Sequence, residues 1–171
     1  MPHSPSNIVL VGMPGCGKST VGVILAKLAS LDFVDTDLLI QRATDRLLQE
    51  IVNHEGYMAL RAIEEDILLK LNCQHRVIAT GGSAVYSRAA MDHLKKDGII
   101  VFIDVDIATL KSRISNYETR GLAKRPDQSF EELFAERMNL YRKYADITVN
   151  GDRLSQEEVC EAILKWIDLK R

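Results

Sequence analysis

The sequence has few cysteines and no apolar run of transmembrane length, and each shortage excludes a class of protein. The three cysteines, Cys16, Cys73 and Cys160, are far apart and form no Cys-x-x-Cys pair. An odd number at such spacing argues against a disulfide framework and against a structural zinc site. The first seven residues are polar and do not resemble a signal peptide, so we expect a cytoplasmic protein.

The sequence also lacks an excess of charge of either sign. Lysine and arginine total 22 against 24 acidic residues, which leaves a net charge of −2. That balance provides no overall attraction to nucleic acid or to an anionic membrane, so we predict neither as a partner. We also expect a monomer. The length of 171 residues, with no linker or repeat, predicts one domain over 1–171.

The most informative segment is a glycine-rich motif between an apolar run and a helical pattern. Gly12 to Ser19 read Gly-Met-Pro-Gly-Cys-Gly-Lys-Ser, a complete G-x-x-x-x-G-K-[ST] phosphate-binding loop. Its backbone N–H groups can surround phosphate oxygens, Lys18 can reach the β- and γ-phosphates, and Ser19 can ligate Mg²⁺. The flanking strand and helix disfavour the alternative, a glycine turn with an incidental lysine. The predicted nucleotide contacts are Gly12, Met13, Pro14, Gly15, Cys16, Gly17, Lys18, Ser19 and Thr20.

Short apolar runs alternate with helical patterns along the chain, which predicts an α/β fold with a parallel sheet of five strands flanked by helices. The strands are expected near Ile8–Val11, Phe33–Val34, Val77–Ala79, Ile99–Ile103 and Ile147–Val149. The helices are expected near Lys18–Ser30, Leu38–Thr44, Arg46–His54, Tyr57–Leu71, Ala89–Lys95, Ile107–Ile114, Phe130–Tyr144 and Glu157–Leu169.

The stretch from Ser115 to Ser129 is polar and basic and has no helical or strand pattern. A connection of this length is either functional or disordered. In a phosphate-loop protein we expect a mobile lid, which we place at 115–127.

Two aspartates, Asp35 and Asp37, follow the second predicted strand. Ligands of parallel α/β sheets bind beyond the carboxyl ends of the strands, so both carboxylates should face the phosphate loop. One could organise Mg²⁺ and the other could accept a hydroxyl proton. Helix capping by Thr36 or Asp37 is an equally good interpretation of this motif alone.

Three further signals are weak when each is taken alone. Arg61 lies on a helix with Glu64 and Glu65 three and four residues later, where a surface ion pair is the simpler interpretation. The pair Gly81-Gly82 after the third strand fits a plain turn as well as a close approach to a ligand. Arg137 could be a solvated helix arginine or an anion clamp.

The order of these motifs resembles that of the shikimate kinase family, whose fold is a three-layer phosphate-loop kinase. The resemblance extends from Val9 to about Trp166. Its most specific parts are Asp35-Thr36-Asp37, Leu60-Arg61-x-x-Glu64-Glu65, Gly81-Gly82 and Glu136-Arg137-x-x-Leu140-Tyr141.

On the nucleotide side, the resemblance implies that Lys18 and Ser19 bind the phosphates of ATP and Mg²⁺, and that Asp35 organises the Mg²⁺ shell. It places Arg113 against the adenine and Arg153 in the adenine loop.

On the acceptor side, the resemblance implies that Asp37 holds the hydroxyl groups of the acceptor and serves as the base. Arg61 and Arg137 would clamp a carboxylate, for which the planar guanidinium is suited. Gly82, with its neighbours Gly81 and Ser83, would present backbone N–H groups to the acceptor. Arg120 would lie over the transferring phosphate; the implied acceptor-binding helical segment is 38–71.

The chain departs from the family pattern only in the acceptor pocket and the lid. Ser83 stands at the third position of the glycine triplet, Leu60 replaces a phenylalanine, and Asn139 replaces a proline. Arg120 is followed by Gly121-Leu122-Ala123 instead of Pro-Leu-Leu, and Arg125-Pro126 offers a second register for the lid motif.

These observations predict an ATP-dependent small-molecule kinase whose acceptor is a small carboxylated polyol, with shikimate 3-OH favoured. Two alternatives stay open: a kinase of the same fold that acts on another hydroxy acid such as gluconate, and an ATP-binding regulatory module.

Overall fold

The computed structural model describes residues 5–116 and 120–168, and it contains the predicted parallel sheet. The strands are β1 (Asn7–Val11), β2 (Asp32–Asp35), β3 (Arg76–Ala79), β4 (Gly98–Asp104) and β5 (Ile147–Asn150). Their order is β2-β3-β1-β4-β5, and every neighbouring pair is parallel.

Eight α-helices lie within the described residues. They are α1 (Lys18–Ala29), α2 (Thr36–Thr44), α3 (Leu48–Glu55), α4 (Tyr57–Lys70), α5 (Arg88–Asp97), α6 (Ile107–Arg113), α7 (Phe130–Tyr144) and α8 (Gln156–Asp168). One short 3-10 helix, Ala84–Tyr86, was not predicted from the sequence. The predicted end of the last helix, Leu169, lies outside the described residues, as do residues 117–119 of the predicted lid.

Helices cover both faces of the sheet, which explains why its central strands are apolar on both sides. Leu10 of β1 pairs in register with Val101 of β4, and a Cβ added to Gly22 of α1 would lie 3.4 Å from Leu10. Phe102, one residue after Val101, therefore faces the other side. There its ring stacks on Tyr141 of α7 with the centroids 5.2 Å apart.

A second, smaller apolar cluster holds the segment that follows β2. Ile40 of α2, Ile51 of α3 and Leu60 of α4 are buried together with Ala123. Helices α2, α3 and α4 thus form a separate unit beside the sheet edge, which corresponds to the predicted segment 38–71 and contacts residues after 120.

The start of α2 differs from the prediction in a way that decides one of its open alternatives. The helix begins at Thr36, and Asp35 is its N-cap, with its side chain accepting a hydrogen bond from the Asp37 N–H. Capping by Thr36 or Asp37 was therefore wrong: the helix starts two residues earlier than its apolar pattern suggests, which leaves the Asp37 carboxyl uncommitted to capping.

Within the described residues, every helix is too short or too polar to cross a bilayer.

Candidate active site

A cavity of about 460 Å³ lies beyond the carboxyl ends of the strands, where parallel α/β sheets bind their ligands. Its walls come from the phosphate loop, from α2 and α4, from the residues after β3 and β5, and from residues 120–123. Of the predicted site residues, those lining it are Pro14, Gly15, Cys16, Gly17, Lys18, Ser19, Thr20, Asp37, Gly81, Gly82, Ser83, Arg113, Arg120 and Arg137.

The phosphate loop forms one end of this cavity. Gly17 has a φ of 101°, which favours glycine, and it is the N-cap of α1, so the positive end of the helix faces the cavity. The Lys18 ammonium donates to the carbonyl groups of Gly12 at 2.7 Å and Met13 at 3.0 Å. Gly12 and Met13, the first two residues of the loop, do not line the cavity; the Met13 side chain is buried in the core.

A hydroxyl and a carboxylate meet at the start of α1. Ser19 donates its Oγ–H to Asp35 Oδ2 at 2.6 Å, and the other Asp35 oxygen accepts from the Asp37 N–H at 3.0 Å. Hard oxygen groups of this kind suit Mg²⁺, which is held by one or two protein oxygens together with substrate phosphates and water. The described residues contain no group of three or more His, Cys, Asp or Glu side chains arranged for a metal, so phosphate oxygens would have to complete such a site.

Two carboxyl groups lie close to the position that a side chain at Gly81 would occupy. A Cβ added there would lie 2.3 Å from Glu64 Oε1 and 2.8 Å from Asp37 Oδ1, so only glycine fits between them. Burial raises the pKa of Asp37, the charge of Asp35 raises it further, and Lys18 and Arg120 oppose the rise. Burial likewise raises the pKa of Glu64, to about 7.

The Ser83 hydroxyl is engaged by a protein side chain. Ser83 is buried and donates its hydroxyl to Glu64 Oε2, and both residues line the cavity. The serine that departs from the family pattern therefore binds a protein carboxyl. This contact explains how a hydroxymethyl group is accommodated at the position of the third glycine.

The two arginines of the predicted clamp converge on one point. Nη2 of Arg61 and Nη2 of Arg137 both donate to the carbonyl oxygen of Ala123, at 3.0 and 3.1 Å. Arg137 is only 1% exposed, which excludes the solvated helix arginine considered above. Nε of each arginine is buried and has no hydrogen-bond partner among the described residues.

The surface ion pair considered for Arg61 is absent from the described ion pairs. Its guanidinium instead lies 3.6 Å from the ring centroid of Tyr86 and 5.0 Å from that of Tyr57. The Tyr86 hydroxyl donates to Glu136, next to Arg137 on α7. Tyr86 therefore contacts Arg61 through its ring and Glu136, the residue before Arg137, through its hydroxyl.

The remaining predicted arginines lie at different distances from the nucleotide end. Arg113 Nη2 donates to the Gly151 carbonyl at 3.1 Å, and both residues line the cavity. Arg153 is exposed and does not line it, whereas Leu154 of the same loop and Gln156 at the start of α8 do.

Sequence reasoning missed several groups that the structure brings to the cavity, and for most of them a local signal is lacking. Glu64 was interpreted as a surface residue because it lies on a helix with several other charged residues, although its own face of α4 is buried. Tyr86 lies in the unpredicted 3-10 helix, and Ala123 acts through its backbone. Gln49 contacts residue 121 across 72 positions of sequence, which no local pattern reveals.

The parallel sheet, the phosphate loop at its edge and the buried acceptor groups beside that loop make this chain a small-molecule kinase of the α/β phosphate-loop class. Comparison with known proteins narrows the class. The family model described as shikimate kinase matches residues 14–168. The chain belongs to the shikimate kinase family, and it is a phosphotransferase with an alcohol acceptor.

Individual relatives agree with this assignment. The shikimate kinase of Rippkaea orientalis is 40% identical over 162 residues, which cover 92% of this chain and 86% of that protein. The structure of shikimate kinase from Acinetobacter baumannii in complex with shikimate has a TM-score of 0.89 at 31% identity, covering 99% of this chain and 96% of that one. The Aquifex aeolicus enzyme has a TM-score of 0.81 at 33% identity, covering 95% and 96%.

Proposed function

We propose that this kinase transfers the γ-phosphoryl group of ATP to the 3-hydroxyl of shikimate, with Mg²⁺ as the cofactor. The observation that carries the proposal is the convergence of Arg61 and Arg137 on one oxygen position, the carbonyl of Ala123. Arg137 and Ala123 line the same cavity as Asp37 and the phosphate loop, and Arg61 reaches this position from α4 without lining the cavity itself. A carboxylate and a hydroxyl on one small molecule can engage both features at once.

The arginines select the acceptor by its carboxylate. A carboxylate offers two oxygens to planar guanidinium forks, and it would satisfy N–H groups of Arg61 and Arg137 beyond those donated to Ala123. The backbone at Gly82 is held beside them, since its carbonyl accepts from the Tyr141 hydroxyl at 2.7 Å. This rigid corner fixes the ring, so that the reacting hydroxyl is oriented toward the phosphate loop.

Asp37 takes the proton of the attacking hydroxyl. Its raised pKa makes it a better base than an ordinary aspartate, and Lys18 and Arg120 keep it ionised enough to act. The hydroxyl oxygen then forms its bond to the γ-phosphorus as the bond to the β-phosphate oxygen breaks, and ADP leaves. The Lys18 ammonium, the Arg120 guanidinium and the N-terminus of α1 stabilise the charge on the transferring group.

Ser19 and Asp35 are the residues that would hold Mg²⁺, which supplies neutralisation of the phosphate charge when it is bound. At the other end of the cavity, Arg113, Leu154 and Gln156 border the space in which we place the adenine. Arg153 contributes to that loop mainly through its backbone N–H, which donates to Asn150 Oδ1 at 3.0 Å.

The contacts of Ser83 and Leu60, two residues that differ from the family pattern, weaken the alternative functions considered from the sequence. The Ser83 hydroxyl is engaged by Glu64, and Leu60 is buried against Ile40 and Ile51, so neither offers a new polar group to a different hydroxy acid such as gluconate. An ATP-binding regulatory module would have no use for a buried arginine and a half-buried one beside a half-buried aspartate. We further propose that the enzyme is cytoplasmic, which its three free cysteines support, and that it is a monomer.

The test is an ADP-release assay with Mg²⁺ and ATP against shikimate, quinate, gluconate and nucleoside monophosphates. We expect strong release with shikimate alone. Strong release with another acid and weak release with shikimate would move the acceptor assignment. An absence of stimulation by every acceptor, with ATP bound, would favour the regulatory module.

A further inference from the structure

Residues 120–123 form part of the wall of the acceptor site. All four line the cavity, and Leu122 and Ala123 are buried, at 8% and 3% exposure. Ala123 packs against Ile40, Ile51 and Leu60, from three different helices. This short stretch is therefore held against the α2–α4 unit.

One hydrogen bond fixes the stretch to α3. The Gly121 N–H donates to Oε1 of Gln49 at 2.6 Å. The other end of the same amide, Nε2 of Gln49, donates to Oδ1 of Asn53 one helical turn later, at 2.7 Å. Because the amide nitrogen is engaged by Asn53, the amide oxygen is the end that faces Gly121.

Only glycine fits at position 121. Its φ is 69°, in the left-handed region, and an added Cβ would lie 2.6 Å from Leu48 Cβ and 2.7 Å from the backbone nitrogen of Gln49. A proline, which the family pattern has here, would have a φ near −65° and no N–H to donate. In this chain, glycine in place of proline at position 121 therefore supplies the N–H that the amide oxygen of Gln49 accepts.

The residues on either side of Gly121 both contribute to the proposed active site. Two residues later, the Ala123 carbonyl accepts from Arg61 and Arg137. One residue earlier, Arg120 lines the cavity close enough to Asp37 to act on its charge. A displacement of Gly121 would move both groups together.

We propose, on the basis of the function proposed above, that Gln49 is a positioning residue for phosphoryl transfer. Its amide oxygen holds the Gly121 N–H, and this contact sets Arg120 beside Asp37 and the Ala123 carbonyl between the two clamp arginines. Gln49 touches neither substrate; it acts through residues 120–123.

The first test removes the acceptor oxygen and then restores it. Gln49→Met keeps the side-chain length but cannot accept the Gly121 N–H, and we expect kcat/KM for shikimate to fall about three- to tenfold, the range for one neutral hydrogen bond. The KM for ATP should stay within about twofold, because Gln49 does not line the cavity that the phosphate loop lines. Gln49→Glu retains an acceptor oxygen and should recover most of the loss. Gln41→Met is the matched control, since Gln41 of α2 does not line the cavity.

A second measurement is independent of the acceptor. Trypsin cleaves after arginine, so the rate of cleavage between Arg120 and Gly121 in the absence of substrates reports how firmly this stretch is held. We expect Gln49→Met to be cleaved faster than the wild type at equal thermal stability, and Gln49→Glu to be cleaved at about the wild-type rate. Gly121→Ala, in which the added Cβ meets Leu48 and the backbone of Gln49, should also be cleaved faster.

The outcomes separate the two proposals. Wild-type protein that turns over no shikimate would overturn the proposed function, and the cleavage rates would still decide whether Gln49 holds Gly121. Active wild type with unchanged cleavage in Gln49→Met would overturn the anchor. Faster cleavage with unchanged kcat/KM would overturn the positioning role.

Discussion

At the scale of single residues, the site depends on charged groups that are buried beside one another. Asp37, Glu64 and Arg137 are removed from water within one small region, where an isolated charge would be costly. Each is partly compensated by the others or by backbone groups. The same burial that costs stability gives Asp37 the raised pKa that suits a base.

Replacing Asp37 with asparagine should lower kcat with shikimate by about 10²- to 10⁴-fold, because the amide cannot accept the hydroxyl proton. ATP affinity, measured by titration calorimetry, should change by less than about threefold, since the phosphate loop is untouched. Asp66→Asn, at a surface ion pair with Lys70, is the control and should leave both values unchanged. Near-normal turnover in Asp37→Asn would remove this residue as the base.

Replacing Arg61 with methionine removes one half of the clamp while keeping an apolar stem against Tyr86. The KM for shikimate should rise about 10- to 100-fold, the equivalent of losing a charge-assisted hydrogen bond, with the KM for ATP unchanged. Arg88→Met, at an exposed ion pair with Asp92 on α5, is the control for loss of a positive charge. Equal effects of the two variants on KM would contradict a carboxylate clamp.

At the scale of secondary-structure elements, α7 links the acceptor site to the core. It carries Arg137 into the cavity, Glu136 to Tyr86, and Tyr141 to both the Gly82 carbonyl and the ring of Phe102. Its first turn is closed by a capping box, in which Ser129 Oγ accepts from the Glu132 N–H and Glu132 Oε2 accepts from the Ser129 N–H.

Ser129→Ala should therefore lower the free energy of unfolding by about 1 kcal/mol, which corresponds to roughly 2–4 °C in Tm for a chain of this size. Urea denaturation followed by circular dichroism measures the difference. The control is Ser112→Ala, which replaces an exposed serine in the last turn of α6 and should change stability by less than about 0.5 kcal/mol. A Ser129→Ala protein as stable as the wild type would show that the cap contributes nothing.

At the scale of the whole molecule, stability and the active site share the buried Glu64. Its pKa in the folded protein is about 7 against an ordinary 4.5, because burial and the charge of Asp37 outweigh Ser83, Arg137 and Lys18, which act in the opposite direction. The folded state then binds more protons than the unfolded state between these two values. This part of the stability is fully present below pH 4.5 and is lost as the pH rises to about 7.

The predicted difference is about 3 kcal/mol across that window, at 1.36 kcal/mol for each pKa unit. Denaturation curves between pH 4.5 and 8 should show Glu64→Gln losing less stability than the wild type as the pH rises. In Ser83→Ala the hydrogen bond that lowers the Glu64 pKa is absent, so the loss should extend to higher pH. Parallel pH profiles for the wild type and Glu64→Gln would contradict the assignment.

Much of the fold could be predicted from local pattern. The strand, loop and helix around the phosphate motif were correct, and α7 matches its predicted limits, because its capping box and apolar spacing agree. The start of α2 was wrong because Asp35 serves at once as strand end, helix cap and partner of Ser19. The 3-10 helix Ala84–Tyr86 is too short to leave a periodic signal.

The site was predicted from motifs of consecutive or closely spaced residues, and the roles assigned to these residues remain predictions. A phosphate loop needs consecutive residues, so Gly15 to Ser19 carry their meaning in order. By contrast, Arg61 looked like a surface ion pair because its nearest charged residues in sequence are Glu64 and Glu65, whereas its contacts in space are Tyr86 and Ala123.

By itself, the sequence determined the class of fold and the phosphate-binding motif, since both follow from residue type and spacing, whereas the acceptor-side residues were only implied by the resemblance to a family. Only the tertiary structure decided which carboxyl caps a helix, that Ser83 binds Glu64, and that Gly121 is held by Gln49. The physical reason is that burial and pairing between distant segments set the charge state and orientation of a side chain, and neither is encoded within a single stretch of chain.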